Sequence, residues 1–239
     1  MKICERREGI SGEGLYSGAD DLPNMPTAGP TQVGQQAALQ AVQAQIRACR
    51  RCAEAGYFVG APVVTGRLGA RVMLIGQAPS EAAAIEARPF AWRDGRPRPR
   101  IWDWLASVGW PEEEFRALAY LTPVTKCYPG RARSGDGDRR PTAVEVRLCA
   151  PYLDAEMALI DPELVLTVGT LALARLGIRA GLDDVVGQTL TVAIAGRERA
   201  LIPLPHPSGV SRWLNAPDKQ ARLRAALERI REARDRLGL

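Results

Sequence analysis

Val72-Met73-Leu74-Ile75-Gly76-Gln77-Ala78-Pro79-Ser80 is an apolar run that stops at a glycine and passes into a short turn. Four apolar side chains without polar alternation mark a strand buried on both faces, the habit of parallel sheets covered by helices. Working outward, residues 119–125 repeat the pattern and arrive at Lys126-Cys127. Leu164–Val168 repeats it again, and residues 200–204 do so before Pro205-His206-Pro207-Ser208. Leu190–Ile194 reads as a further strand. Helical periodicity fills the intervals: Ala38, Leu39, Val42, Ile46 and Cys49 recur at steps of three and four residues from Gln35. Residues 101–108 and 170–176 read as shorter helices. Thr142 with Glu145 is a capping-box pattern opening a helix that runs to Ile160. A charged amphipathic helix over Pro217–Leu237 closes the chain. Strands alternating with helices predict an α/β sandwich with a mostly parallel sheet. Its working loops belong beyond the carboxyl ends of the strands, which places the 76–80 turn and the 206–209 loop at one edge.

Composition narrows the function classes. The chain of 239 residues is 46% hydrophobic and 25% charged, enough for a real core. No run of about 18 apolar residues occurs, so a membrane-spanning helix is not expected. The charged start MKICERREG has no apolar stretch behind it, so neither is a secretory signal. Five cysteines, widely spread, do not make a disulfide scaffold, and a cytoplasmic protein is expected. Net charge is +5, carried almost wholly by arginine, since lysine stands only at Lys2, Lys126 and Lys219. Arginine pairs bidentately with phosphate, which suits a polyanionic partner. His206 is the single histidine, so a site built from two imidazoles is excluded. Residues 1–34, rich in Gly, Pro, Ser and Asp, read as a flexible leader, and 35–239 as one domain.

Cys49-Arg50-Arg51-Cys52 places two thiols at a helix end. Cys127 follows a strand and Cys149 lies in the next helix, while Cys4 sits apart in the leader. Four thiolates suit a tetrahedral zinc ion or an iron–sulfur cluster, and free cysteines also serve as small buried hydrophobes.

The order of these motifs carries a resemblance. Cys49-x2-Cys52 precedes Leu74-Ile75-Gly76-Gln77-Ala78-Pro79 and Arg88-Pro89-Phe90. Lys126-Cys127 follows, then Arg139-Arg140-Pro141-Thr142 with Glu145, Cys149-Ala150-Pro151-Tyr152-Leu153, and Leu204-Pro205-His206-Pro207-Ser208. Over roughly residues 36–236 the chain resembles the uracil-DNA glycosylase superfamily, nearest its iron–sulfur families four and five. The resemblance implies a three-layer α/β/α sandwich around a central, mostly parallel four-stranded sheet. It implies a 4Fe-4S cluster on Cys49, Cys52, Cys127 and Cys149. It also implies a monomeric, monofunctional hydrolase of base excision repair, cleaving the N-glycosidic bond of uracil in DNA to leave an abasic site. The alternative within the same fold is a weakly active or non-catalytic member that binds uracil or DNA.

Such an enzyme must hold a flipped nucleotide and stabilise the departing uracil anion. By resemblance, His206 donates to the uracil O2, and the backbone of Gln77 and its neighbours completes the anion pocket. Gly76, Gln77, Ala78 and Pro79 line the base site, and Phe90 stacks on the base. Ser208, Gly209, Val210, Ser211 and Arg212 form the loop that enters the minor groove, with Val210 or Trp213 as a wedge. This chain departs from the family in three places. Gln77 and Ala78 stand where related motifs carry a water-activating carboxylate. Pro123 stands where family four has a uracil-reading Asn, and Asp138 where a related pattern has Asn. Glu81, Asp94 and Asp138 are therefore the candidates for positioning water. The covalent uracil-binding relatives use a histidine in an arginine-rich loop, which this chain lacks. The residues 130–138 lengthen the interval between Cys127 and Cys149 and are expected to form a surface feature.

Overall fold

The computed structural model describes residues 32–95, 97–133, 137–207 and 212–239. The elements run in the order α1 (Gln32–Ala48), α2 (Arg51–Glu54), β1 (Val72–Gly76), α3 (Glu81–Ile85), α4 (Ile101–Ser107), α5 (Glu112–Leu118) and β2 (Ala119–Pro123). They continue with α6 (Ala143–Ile160), β3 (Leu164–Val168), α7 (Gly169–Arg175), α8 (Leu182–Val185), β4 (Leu190–Ile194) and β5 (Arg197–Leu204). A 3-10 turn at Arg212–Asn215 leads into α9 (Pro217–Leu237). The sheet order is β2-β1-β3-β5-β4.

The sheet has five strands and not the four expected. β2, β1, β3 and β5 are parallel, and β4 adds an antiparallel edge to β5. The reason is a two-residue hairpin: Ala195 and Gly196 both take positive φ, 49° and 77°, as a tight primed turn requires. β4 alternates buried and exposed residues as an edge strand does, whereas β1, β2 and β3 are buried throughout.

Alternation along β1 builds the two outer layers. Val72 and Leu74 pack with Trp102, Leu105, Phe115 and Ile230 beneath α4, α5 and α9. Met73 and Ile75 pack on the other face with Leu39, Leu153, Met157 and Leu173 from α1, α6 and α7. The result is the α/β/α sandwich. α6 begins at the capping box, where the Thr142 side chain accepts from the Glu145 amide at 3.2 Å and Glu145 accepts from the Thr142 amide at 2.8 Å. It ends where Asp161 turns left-handed at φ 47°. α1 is already helical at Gln32, inside the stretch read as leader, and its rise stops at Ala48 before the separate turn α2. Residues 1–31 lie outside the described residues. Among the described residues no helix is long and apolar enough to cross a membrane.

Candidate functional site

Because β1, β3 and β5 run parallel, their carboxyl ends open on one side, and a cleft of about 1290 Å³ lies there. Its walls are the 76–80 turn after β1, Pro123 at the end of β2, Val168 at the end of β3, and His206 and Pro207 after β5. Phe90 closes one side. The residues chosen for the base site from sequence are therefore gathered in one place.

The turn after β1 is held from the side of β2. Val124 N–H donates to the Gly76 carbonyl at 2.9 Å, and Thr125 N–H to the Gln77 carbonyl at 3.3 Å. N–H and C=O of a trans peptide point in opposite directions. The amides of Gln77 and Ala78 therefore face away from the 124–125 segment. Ser80 ends the turn by capping α3, accepting from Ala83 N–H at 3.1 Å.

Phe90 is held in a left-handed conformation at φ 53°, as is Ala87 at φ 48°. Such backbone costs about 1–3 kcal/mol per residue and persists only where its surroundings over-determine it. Here Trp102 Nε1 donates to the Phe90 carbonyl at 3.1 Å, and Arg116 donates to the Pro89 carbonyl at 2.9 Å. The Arg116 guanidinium lies 4.1 Å from the Trp102 ring centroid, and Trp102 meets Phe90 edge-on at 6.2 Å. The Cζ end of the Phe90 ring thereby comes up against Gly76. Sequence reasoning missed this Trp102–Arg116 bracket, and only the burial of a tryptophan beside an arginine-rich loop hinted at it.

His206 is largely buried, and burial alone holds its pKa below the ordinary 6.5. The imidazole is neutral at physiological pH, with one N–H to donate. It packs on Gly169, whose φ of +79° bends β3 into α7.

All three candidate carboxylates reach the cleft. Glu81 is paired with Arg131 at 2.7 Å, Asp138 accepts from the Tyr128 hydroxyl at 3.0 Å, and Asp94 stands exposed on a turn. The described part of the lengthened 130–138 segment borders the cleft. Arg131 and Asp138 form an antiparallel bridge, and Arg131, Gly137 and Asp138 line the cleft wall. Trp92, 41% exposed, also lines the cleft and was not singled out from sequence.

Of the residues expected to enter the minor groove, Ser208, Gly209, Val210 and Ser211 lie outside the described residues, and Arg212 opens the 3-10 turn. Trp213 is no wedge: its Nε1 donates to Asp183 at 2.6 Å, and the ring packs against the core.

Apart from the cleft, Cys49, Cys52, Cys127 and Cys149 line one small cavity of about 30 Å³ with Thr125, Glu145 and Tyr152. None of the four is in a disulfide. Burial pushes Cys52 up to about 11 and Cys127 up to about 12, and the neighbouring thiols add to both shifts. Among the described residues no three His, Cys, Asp or Glu side chains converge as a single metal ion requires. The buried Thr125 Oγ1 has no partner among the described residues, which suits a sulfide acceptor in the cavity. The four thiols that line this cavity are the residues that would hold a metal group there.

Comparison with known proteins identifies the family. A family profile described as the uracil DNA glycosylase superfamily matches residues 63–231. The type-4 uracil-DNA glycosylase of Sulfurisphaera tokodaii is 24% identical over 199 residues, covering 81% of this chain and 84% of the relative. That of Pyrobaculum aerophilum is 28% identical over 179 residues, 73% of this chain and 85% of the relative. That of Thermotoga maritima is 26% identical over 172 residues, 71% and 81% respectively. With its parallel sheet, its cleft at the strand ends and a profile match over most of its length, this chain belongs to the uracil DNA glycosylase superfamily.

Proposed function

We propose that this protein is a uracil-DNA glycosylase of base excision repair, cleaving the N-glycosidic bond of uracil in DNA. The observation that carries the reading is the convergence of the 76–80 turn, Phe90 and His206 on one cleft. A base flipped out of DNA enters that cleft and stacks on Phe90. As the bond to the sugar lengthens, negative charge grows on the uracil ring. The neutral His206 N–H and the amides of the turn beginning at Gln77 stabilise it. Gly76, Ala78 and Pro79 shape the wall against the ring. Ser208, Gly209, Val210, Ser211 and Arg212 contact the DNA strand.

Water reaches the electron-poor sugar carbon from the side of Asp138, the carboxylate whose orientation is fixed by Tyr128 while Glu81 is engaged with Arg131. Departure of the base ahead of water attack needs no strong base, so the missing motif carboxylate slows the reaction without abolishing it. Cys49, Cys52, Cys127 and Cys149 hold a 4Fe-4S cluster. When bound, it supplies iron–thiolate links that fasten α1 and α2 to the end of β2 and to α6.

The test is single-turnover cleavage of oligonucleotides carrying one uracil, single-stranded and opposite G or A. Abasic product is expected, with a loss of roughly two to three orders of magnitude in His206→Ala, as for removal of one oxyanion donor. An intact protein that binds uracil-DNA without cutting it overturns the enzyme reading in favour of the binding member of the fold.

A further inference from the structure

Lys126 and Glu156 form a buried ion pair, 1% and 2% exposed, with Nζ and Oε2 at 2.6 Å. All three ammonium donors are used: on Glu156, on Thr122 Oγ1 at 2.5 Å, and on the Pro123 carbonyl at 2.8 Å. Glu156 also accepts from Thr122 Oγ1 at 2.7 Å and from the Tyr120 hydroxyl at 3.0 Å. Burying two charges is expensive, and apolar residues of similar volume are often at least as stabilising. A fully satisfied charge pair in the core therefore asks for a role other than stability.

Its neighbours supply one. The Lys126 amide donates to Cys149 Sγ at 3.3 Å, while its ammonium grips Pro123, whose end of β2 lines the cleft. Between these points Val124 and Thr125 hold the carbonyls of Gly76 and Gln77. The connection is continuous: Cys149, Lys126, the 123–125 segment, then the turn that faces the base.

We propose that the Lys126–Glu156 pair is a positioning device that registers the base-binding turn against the cysteine cavity. The pair touches neither base nor sugar. It fixes where the 123–125 segment stands, and that segment fixes the turn beginning at Gly76. A single bond from Nζ to Pro123 is the step at which the charge pair acts on the cleft. A cavity rebuilt around a displaced α6 would shift Glu156, then Lys126, then the turn.

The kinetic part of the test rests on the glycosylase reading, and the exchange part does not. Lys126→Met alone leaves Glu156 buried and unpaired, so the informative protein is Lys126→Met with Glu156→Gln. Gln keeps an acceptor for the Tyr120 hydroxyl, turns its NH2 to the Thr122 Oγ1 that Lys126 no longer occupies, and removes the charge. The expected result is a folded protein with wild-type visible absorbance, in which the Val124 and Thr125 amides exchange with solvent about tenfold faster or more. Amides of β3 and α9 keep their rates. In the same variant, kcat on uracil-DNA falls roughly ten- to a hundredfold with KM little changed, as for a catalytic group displaced by about 1 Å. Unchanged exchange at Val124 and Thr125 in the folded variant overturns the inference. Uniform acceleration of every amide also overturns it, since the pair is then an ordinary structural contact. Wild-type protein that cuts no uracil-DNA overturns the glycosylase reading instead, and the exchange rates still decide the positioning role.

Discussion

The Phe90 ring occupies the space where any side chain at position 76 would begin: a Cβ on Gly76 would lie 2.8 Å from Phe90 Cζ. Gly76 is the last residue of β1 and Phe90 sits in a left-handed turn clamped by Trp102 and Arg116. Neither partner is free to yield. The aromatic plate and the strand end that carries the turn are thus placed by one another, and glycine at the end of β1 answers to this close approach.

Gly76→Ala is therefore expected to push the Phe90 ring off its seat. Overpacking of this kind costs about 1–3 kcal/mol. Cleavage falls more than stability suggests, because the stacking surface and the turn both move. Phe90→Ala in the same background restores part of the stability and none of the activity. Thermal melts and single-turnover rates on the two variants check this, and a Gly76→Ala enzyme with wild-type rates would sink it.

Burial of His206 makes a pH prediction with a definite sign. Its folded pKa lies below the unfolded 6.5. Above 6.5 both states are neutral there and the residue contributes no pH dependence. Below 6.5 the unfolded chain takes up a proton that the folded protein refuses, so stability falls with pH until the folded pKa is passed. Melting temperature followed from pH 7.5 to 5 in wild type and in His206→Gln isolates this term. Wild type loses stability relative to the variant as pH drops below 6.5, and parallel curves contradict the assignment of a neutral buried imidazole.

The parallel sheet was legible because its strands are uninterrupted apolar runs, and α6 because Thr142 and Glu145 spell its start. The gathering of the 76–80 turn and the His206 loop followed from strand direction alone. Other features carried no local signal. α3, α5 and α8 are short helices set by what lies beneath them. The fifth strand's pairing rests on positive φ at Ala195, which no propensity announces. The Phe90 clamp depends on Trp102 and Arg116, brought together only by the fold. One clue was present and unread. Cys149, Tyr152, Leu153, Glu156, Met157 and Ile160 form the buried stripe of α6, and a carboxylate within such a stripe needs a buried partner.

The cysteine cavity separates ligand from support. Cys127→Ser is expected to lose iron and visible absorbance together. Thr125→Val, nearly isosteric, is expected to keep both. If its hydroxyl donates to a cluster sulfide, losing that bond lowers the reduction potential, since hydrogen bonds to the sulfurs favour the reduced form. Iron content, absorbance and potential are read on the same preparations. Full iron in Cys127→Ser contradicts the ligand set, and an unmoved potential in Thr125→Val leaves the buried hydroxyl without that role.

Arg139 closes the site from the protein side. It grips Glu145 with two bonds of 2.7 and 2.6 Å, and a third, of 3.2 Å, reaches the Phe58 carbonyl. Glu145 is 2% exposed, completes the cap of α6 and lines the cysteine cavity. Burial raises its pKa, yet the bonds from Arg139 and Thr142 outweigh burial, and the net pKa lies below 4.5. Arg139→Ala removes the counter-charge and leaves the carboxylate buried beside thiols. Breaking a buried pair costs about 3–5 kcal/mol, and partial exposure of the arginine brings the expectation to about 2 kcal/mol. Because the folded pKa is depressed, the wild-type advantage is present above pH 4.5 and disappears as pH falls through the folded value. Glu145→Gln keeps both the cap acceptor and the packing, so Arg139→Ala with Glu145→Gln recovers most of the loss. Denaturant melts of the three variants at pH 7 and at pH 4 test the pairing. A double variant as unstable as Arg139→Ala alone would show that Arg139 acts through Phe58 instead of through the carboxylate.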